Sequence, residues 1–267
     1  MSELFGLIGE KLTHSLSPKI HGELFNILNM NAKYELFEIK RDELKNGFLK
    51  LKAEGVKGLN VTIPYKVDIM EFLDDISIEA KEIGAVNTIC FKGDKIIGYN
   101  TDYFGFGRML QKNNIQANAS KVAVLGAGGA AKAVIQYFLF NNAKEIVLIS
   151  RDKKKAEVTF PNIKVISYEE FNEYDKGDII VNCTPLGMYP KLDAFPVDRK
   201  CIAKFSAAVD LIYNPLETLF LKFAKEEGLK SVNGLYMLVG QAMAAEEIWN
   251  DIDIGEEITD EIFTKLQ

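Results

Sequence analysis

Short apolar runs alternate with amphipathic stretches along the whole chain, the pattern of βαβ units and a mostly parallel sheet. In the first third the apolar runs predict strands near residues 4–9, 34–39, 58–62 and 86–91. Helical patterns fall between them, near 17–28, 42–54 and 78–83. A strand over 95–99 and a helix over 103–113 follow. The segment 114–121 is polar and aperiodic, which places a domain seam there. Beyond it the pattern predicts strands over 122–125, 146–149, 164–166, 179–182 and 208–211, with a helix over 129–141. The last third reads as helical, over 216–227, 236–250 and 256–266. No internal repeat and no low-complexity tract interrupts this order.

Composition narrows the class. A length of 267 residues suits one large domain or two modest ones of roughly 100–150 residues each. With 48% hydrophobic and 26% charged residues, the chain can build two cores. A net charge of −6 gives a nucleic-acid partner no electrostatic support. No apolar run reaches the ~18 residues of a membrane span. The first residues, with Lys11, His14 and Lys19, lack a signal peptide's apolar core. Cys90, Cys183 and Cys201 are odd in number, far apart and outside CxxC spacing, which fits a reducing cytoplasm. With only His14 and His21, metal sites and Ser-His-Asp catalysis are poorly supplied, and no metal is expected.

The run Lys121-Val-Ala-Val-Leu-Gly126-Ala-Gly128-Gly129-Ala130-Ala131 is an apolar strand entering a glycine turn that opens a helix. Gly126 permits the tight turn, and Gly128 lets backbone N–H groups approach a pyrophosphate. Ala131 is small enough for the helix to lie close to the sheet. The helix N-terminus then faces the phosphates with its partial positive charge. Gly126, Gly128, Gly129 and Ala130 are thus candidate cofactor residues of a Rossmann half. After the next strand stands Ser150-Arg151-Asp152-Lys153-Lys154. An acid at that strand end would accept a hydrogen bond from the ribose 2′-OH of NAD. None is there, and a guanidinium can pair a 2′-phosphate bidentately. NADP is therefore the expected cofactor, with Ser150, Arg151 and Lys154 beside it. Asp152 would repel a 2′-phosphate unless it points away.

Four polar clusters stand at strand ends or turns outside this half. The first is Gly9-Glu-Lys-Leu-Thr-His14-Ser15-Leu-Ser17-Pro18, in which Ser17 alone reads as a helix N-cap before proline. The others are Gly58-Leu-Asn60-Val-Thr62-Ile-Pro64-Tyr-Lys66, Ala85-Val-Asn87-Thr88 and Gly98-Tyr-Asn100-Thr-Asp102. Alone, Lys66 reads as a surface lysine and Asp102 as an N-cap. Together, in this order and spacing, the clusters resemble the shikimate dehydrogenase family, and the likeness covers nearly the whole chain. The later segments agree: Asn182-Cys-Thr184-Pro-Leu-Gly187-Met188, Asp210-Leu-Ile-Tyr213-Asn-Pro215 and Asn233-Gly234-Leu-Tyr-Met237-Leu-Val-Gly-Gln241.

The resemblance implies reversible reduction of 3-dehydroshikimate to shikimate by NADPH, on the route through chorismate to aromatic amino acids. It implies that Ser15 and Ser17 bind the substrate carboxylate. Asn60, Thr62, Asn87, Asp102, Tyr213 and Gln241 would surround the ring and its hydroxyls. It makes Lys66 and Asp102 the catalytic pair, puts Gly234 and Met237 beside the nicotinamide, and puts Thr184 near the cofactor. One departure is Ser-Arg-Asp where the family commonly has Asn-Arg-Thr, which bears on strict NADP preference. The chemistry fits independently. Hydride reduction of a ketone develops negative charge on oxygen, so a donor must protonate it. A helix start behind Pro64 would disfavour added positive charge at Lys66, while Asp102 would favour and orient the ammonium.

The expected architecture is α/β in two domains with the active site in the cleft between them. A substrate domain would comprise residues 1–110 plus 238–267, and a Rossmann-like NADP-binding domain residues 111–237. The return of the C-terminal helices to the first domain rests on the resemblance, since periodicity does not disclose it. Two rivals stand beside this reading. One is a sibling enzyme that also accepts quinate, with relaxed use of NAD; the small Ser15 and Ser17 lean toward shikimate. The other is a non-catalytic ligand sensor on the same fold, against which Lys66 and Asp102 both speak. The expected partner is the small-molecule substrate, with no nucleic acid and no membrane. A homodimer is compatible with the sequence, which does not fix the oligomeric state.

Overall fold

The computed structural model describes residues 2–13 and 15–267, so His14 of the first polar cluster lies outside the described residues. The chain divides into two compact units, Met1–Gly105 with Val239–Gln267, and Phe106–Leu238.

In the first unit, strands β1 (Glu3–Gly9), β2 (Ala32–Glu38), β3 (Gly58–Val61), β4 (Asp75–Ile76), β5 (Thr88–Lys92) and β6 (Lys95–Tyr99) form one sheet. Their spatial order is β2-β1-β3-β5-β6-β4. Helices α1 (Ser17–Ile27), α2 (Leu44–Ala53) and α3 (Ile78–Ile83) alternate with the strands, and α4 (Thr101–Lys112) starts in this unit and continues into the second. The sheet is mixed, which corrects the mostly parallel expectation here. β1 runs parallel to β2 and β3, whereas β3–β5 and β5–β6 are antiparallel. The reason is chain length. Only Gly93 and Asp94 separate β5 from β6, and a parallel crossover needs a dozen or more residues. Gly93 supplies the positive φ of +62° that a two-residue hairpin turn favours. Ile8, Phe48, Leu59, Tyr65, Ile69 and Ile89 centre this unit's core.

The second unit holds β7 (Lys121–Leu125), β8 (Glu145–Ile149), β9 (Lys164–Ile166), β10 (Ile179–Asn182), β11 (Ala207–Asp210) and β12 (Lys230–Val232). Their order is β12-β11-β10-β7-β8-β9, with every neighbour parallel. This is the doubly wound order, reversing direction between β7 and β10. β7, β8, β10 and β11 are continuous apolar runs because helices cover both faces of such a sheet. The helices are α5 (Gly129–Phe140), α6 (Lys153–Thr159), α7 (Tyr168–Asn172), α8 (Arg199–Ile202), α9 (Leu219–Glu226) and α10 (Leu235–Asn250). The last, α10, continues into the first unit, where α11 (Glu256–Leu266) ends the chain. The last third is therefore not wholly helical, since β12 lies within it. Three residues with one buried side chain leave no periodicity to read.

Candidate active site

In the first unit the register of the antiparallel strands lays three polar segments side by side. Val61 N–H donates to Asn87 O at 2.8 Å, Val86 N–H to Lys66 O at 2.7 Å, and Asn87 N–H to Tyr99 O at 3.0 Å. The Asn100 side-chain amide donates to Ala85 O at 2.9 Å, tying the end of β6 to the same loop. The turn after β3 thereby carries Lys66 to the first turn of α4. Lys66 Nζ donates to Asp102 Oδ2 at 2.6 Å. The two side chains are 28% and 21% exposed, sheltered yet reachable by a ligand. Asp102 is the second residue of α4, not its N-cap. Behind Pro64 the chain makes turns into a short 3-10 helix over Asp68–Phe72, with Asp68 and Glu71 in its first turn. The dipole argument for Lys66 lapses with the missing α-helix start, and Asp102 remains as its charged partner.

Around this pair, buried amides and hydroxyls are saturated in a definite order. The Asn87 side-chain oxygen accepts from Thr101 N–H at 2.7 Å, Thr101 Oγ1 at 3.2 Å and Thr88 Oγ1 at 3.0 Å. Its Nδ2 donates to none of the described residues, so the amide presents its donor end. Asn60 is different. Its Nδ2 donates to Asn87 O at 3.3 Å and Thr88 Oγ1 at 3.0 Å, and its Oδ1 accepts from Tyr34 at 2.7 Å. Thr62, at the end of β3, donates its N–H to Ile8 O at 2.9 Å, and its methyl sits where a Cβ on Gly9 would fall.

Ser15 and Ser17 are both half-buried. Ser17 is the first residue of α1 rather than its N-cap, and the Ser15 hydroxyl accepts the Ser17 N–H at 3.2 Å. Neither hydroxyl caps the helix from the N-cap position, Leu16. Gln241 lies half-buried on α10 in this same unit. Tyr213 belongs to the second unit, half-buried after β11, where burial pushes its phenol up.

The glycine turn sits at the switch point of the second sheet. Gly126, directly after β7, has φ +92°, and a Cβ there would stand 2.7 Å from the Thr184 methyl in the loop after β10. Both the backbone conformation and the close approach require glycine. Gly128, Gly129 and Ala130 are exposed, and a Cβ on either glycine would meet nothing within 4 Å. No side chain caps α5, so its first N–H groups face that open space. Ala131 is fully buried beneath. An open cradle at an uncapped helix N-terminus fits the pyrophosphate of a dinucleotide.

At the end of β8, Ser150 is buried and donates its hydroxyl to Asp152 O at 3.1 Å. Asp152 caps α6, its carboxylate accepting the Lys155 N–H at 3.0 Å. That bond turns the carboxylate into the helix and answers the repulsion its position suggested. Lys153 pairs with Glu170 at 3.0 Å. Arg151 and Lys154 are exposed and have no carboxylate partner among the described residues. Both cations are free to meet an anion.

Asp210 is a feature periodicity could not single out. It is fully buried at the end of β11, and accepts from Thr218 Oγ1 at 2.6 Å, Asn182 Nδ2 at 3.0 Å and Ile212 N–H at 3.1 Å. Burial raises its pKa to about 6 against the opposing pull of those hydrogen bonds. Through Asn182 the carboxylate reaches Thr184, whose N–H and hydroxyl both donate to Asn182 Oδ1, at 3.0 and 2.7 Å. Thr184 therefore offers a methyl and backbone toward the glycine turn, its own proton being occupied. Burial and the Asp210 charge push the neighbouring Cys183 thiol up, so it is no thiolate nucleophile. Gly234 donates its N–H to Ile212 O at 3.0 Å, and a Cβ there would overlap Leu211 O. Met237 is buried three residues on, in α10.

A doubly wound sheet with an open glycine cradle at its switch point, in one chain with a lysine–aspartate pair among amides and hydroxyls, defines a nicotinamide-dependent oxidoreductase. Comparison with known proteins narrows the class. Residues 7–89 match the family described as "Shikimate dehydrogenase substrate binding domain", and residues 121–196 match "NADP oxidoreductase coenzyme F420-dependent". A Clostridium perfringens protein named shikimate dehydrogenase (NADP(+)) is 52% identical, over 99% of this chain and 98% of its own length. The structure of a chorismate mutase/shikimate 5-dehydrogenase fusion protein from Clostridium acetobutylicum superposes with a TM-score of 0.97. It is 53% identical and covers 100% of this chain and 97% of that one. Shikimate 5-dehydrogenase from Thermus thermophilus, solved with NADP(H) and shikimate, gives 0.89 at 30% identity, over 99% and 100% of the two chains. The chain belongs to the shikimate dehydrogenase family.

Proposed function

We propose that this chain catalyses the reversible reduction of 3-dehydroshikimate to shikimate with NADPH, on the route to aromatic amino acids. The observation that carries the proposal is the 2.6 Å contact between Lys66 Nζ and Asp102 in a half-sheltered site. When bound, the cofactor supplies the hydride that converts the ring C=O to CH–OH. Lys66 stands ready with the matching proton: its ammonium donates to the oxygen as negative charge develops there, and in the reverse direction the amine takes the proton back. Asp102 orients the ammonium, and its second oxygen is available to a ring hydroxyl.

The rest of the site divides by hydrogen-bond capacity. Ser15 and Ser17 serve the carboxylate, while Thr62 and the Asn87 Nδ2 serve ring hydroxyls; Gln241 and Tyr213 complete the set. Asn60 has both amide protons and its oxygen engaged within the sheet, so it acts by placing Asn87 and Thr88 rather than by touching substrate. Gly126, Gly128, Gly129 and Ala130 would hold the pyrophosphate of NADP, Arg151 and Lys154 beside Ser150 would hold its 2′-phosphate, and Thr184, Gly234 and Met237 would line its nicotinamide end. Residues 1–110 and 238–267 carry the substrate role and residues 111–237 the cofactor role. With three free cysteines, the reducing cytoplasm is the compartment that suits the chain. The test is the absorbance of reduced cofactor with shikimate or quinate, each with NADP and NAD. Turnover of shikimate with NADP supports the proposal. Absence of turnover with all four pairs removes it, and a preference for quinate with NAD replaces it with the sibling activity.

A further inference from the structure

Tyr34 stands in β2, an edge strand whose Lys33, Glu35, Leu36 and Glu38 are exposed. Its own side chain turns inward and is held on two sides. The ring stacks on His21 with centroids 4.0 Å apart and planes 11° from parallel. His21 lies one helical turn after Ser17 on α1, so both project from one face. The Tyr34 hydroxyl donates to Asn60 Oδ1 at 2.7 Å. Burial pushes the phenol well above its ordinary value, and the Glu246 carboxylate pushes it the same way.

The direction of each bond follows by elimination. Both Asn60 amide protons go to Asn87 O and Thr88 Oγ1, so Asn60 turns its oxygen to Tyr34, and that oxygen only accepts. The phenol proton is therefore directed at Asn60. We propose that Tyr34 is a positioning residue for the ring-hydroxyl donors of the substrate site. Its hydroxyl fixes the Asn60 amide in β3 and, through the two Asn60 amide protons, Asn87 and Thr88. The Asn87 side-chain oxygen is held in turn by Thr88 and Thr101, so the Asn87 donor end is set beforehand by a chain of bonds that starts at the phenol. This rests on the reading that Asn87 contacts shikimate.

Tyr34→Phe keeps the ring on His21 and removes only the hydroxyl. Calorimetric titration of shikimate into the full-length proteins, with steady-state kinetics alongside, reads the effect. The dissociation constant and KM for shikimate are expected to rise roughly three- to tenfold, the scale of one hydrogen bond's net worth. The KM for NADP and kcat should stay within about twofold, a split that general loosening of the fold would not produce. Asn60→Asp keeps the acceptor for Tyr34 and removes the donors to Asn87 and Thr88. It should weaken shikimate in the same manner and stands in if Tyr34→Phe does not fold. Unchanged shikimate affinity in either folded variant overturns the inference, even if melting temperature falls. A wild-type chain that does not bind shikimate overturns the substrate reading and this inference together; tight wild-type binding matched by Tyr34→Phe overturns the inference alone.

Discussion

His21 Nδ1 and Glu246 Oε1 lie 2.5 Å apart, and neither side chain has any exposed surface. The bond joins α1, which carries Ser17, to α10, which carries Gln241. Asn250 Nδ2 donates to the other Glu246 oxygen at 2.8 Å, and Tyr34 and Trp249 flank the imidazole. Two helices that bear candidate substrate residues are therefore fixed to each other by one buried polar contact.

Removing one partner from a buried pair leaves the other without compensation, at about 3 kcal/mol or more. Glu246→Ala should accordingly lower the unfolding midpoint by roughly 6–12 °C. Glu246→Gln keeps an oxygen for the imidazole N–H and should lose clearly less. Differential scanning calorimetry on the three proteins decides; equal midpoints for wild type and Glu246→Ala would show that the pair contributes nothing to stability.

Asp210 gives a pH signature of definite sign. Its folded-state pKa, about 6, lies above that of an exposed aspartate, 3.8. The fold therefore favours the protonated form. The corresponding stabilisation is full below pH ~4 and is lost as pH rises through about 6. At ~1.4 kcal/mol per pKa unit, the loss is on the order of 2–3 kcal/mol. Asp210→Asn cannot titrate, so its stability relative to wild type should improve between pH 4.5 and pH 7. Urea unfolding of both proteins at those two pH values measures the difference. A relative stability that falls or stays flat over that interval would refute the assigned direction.

What could be read from the sequence, and what could not, follows from the range of the interactions involved. β7 through β11 were legible because strands covered on both faces are continuous apolar runs. The cradle at Gly126 was legible because strand, turn and helix are contiguous. β12 was not, nor was the two-residue β4, since each is too short for a period. The pairing of Lys66 with Asp102 joins residues 36 positions apart. It is created by the β3–β5–β6 register, which local periodicity does not contain, and only the likeness of motifs suggested it. The difference between Asn60 and Asn87 was beyond sequence reasoning altogether. Both are asparagines in polar clusters, and only the bond directions show which amide is internally occupied. Tyr34 and Asp210 were passed over because one lies in an otherwise exposed edge strand and the other inside an apolar run. A polar residue within a buried strand was the available signal for Asp210.

Arg151 and Asp152 make cofactor choice testable. With Asp152 turned into the start of α6 and Arg151 lacking a carboxylate partner among the described residues, the guanidinium is free for the 2′-phosphate. Arg151→Ala should raise the KM for NADP roughly ten- to hundredfold, equivalent to about 1.5–3 kcal/mol for a charge-assisted contact. NAD, which lacks that phosphate, should be used nearly as before. Initial rates with each cofactor at saturating shikimate make the comparison, and equal losses for both would contradict the assignment.

Lys66 and Asp102 are the pair on which the chemistry depends, and a double-mutant cycle examines them as a unit. Lys66→Ala removes the proton carrier and should lower kcat by about 10²–10⁴, the usual range for general acid–base catalysis. The shikimate KM should change little if the amine acts chiefly in the transition state. Asp102→Asn keeps size and shape but withdraws the charge that orients the ammonium. It should also slow turnover, and should raise KM because its carboxylate can accept from a ring hydroxyl. Because Nζ and Oδ2 are in direct contact at 2.6 Å, the two losses should not add in the double variant. Once Lys66 is gone, Asp102 has no ammonium to orient, and its removal costs only the substrate contact. The informative quantity is the coupling in kcat, with melting curves checking that each variant is folded. A Lys66→Ala enzyme that keeps most of its turnover would assign the proton to another group. Strictly additive losses would mean that Asp102 works on the substrate and not through Lys66.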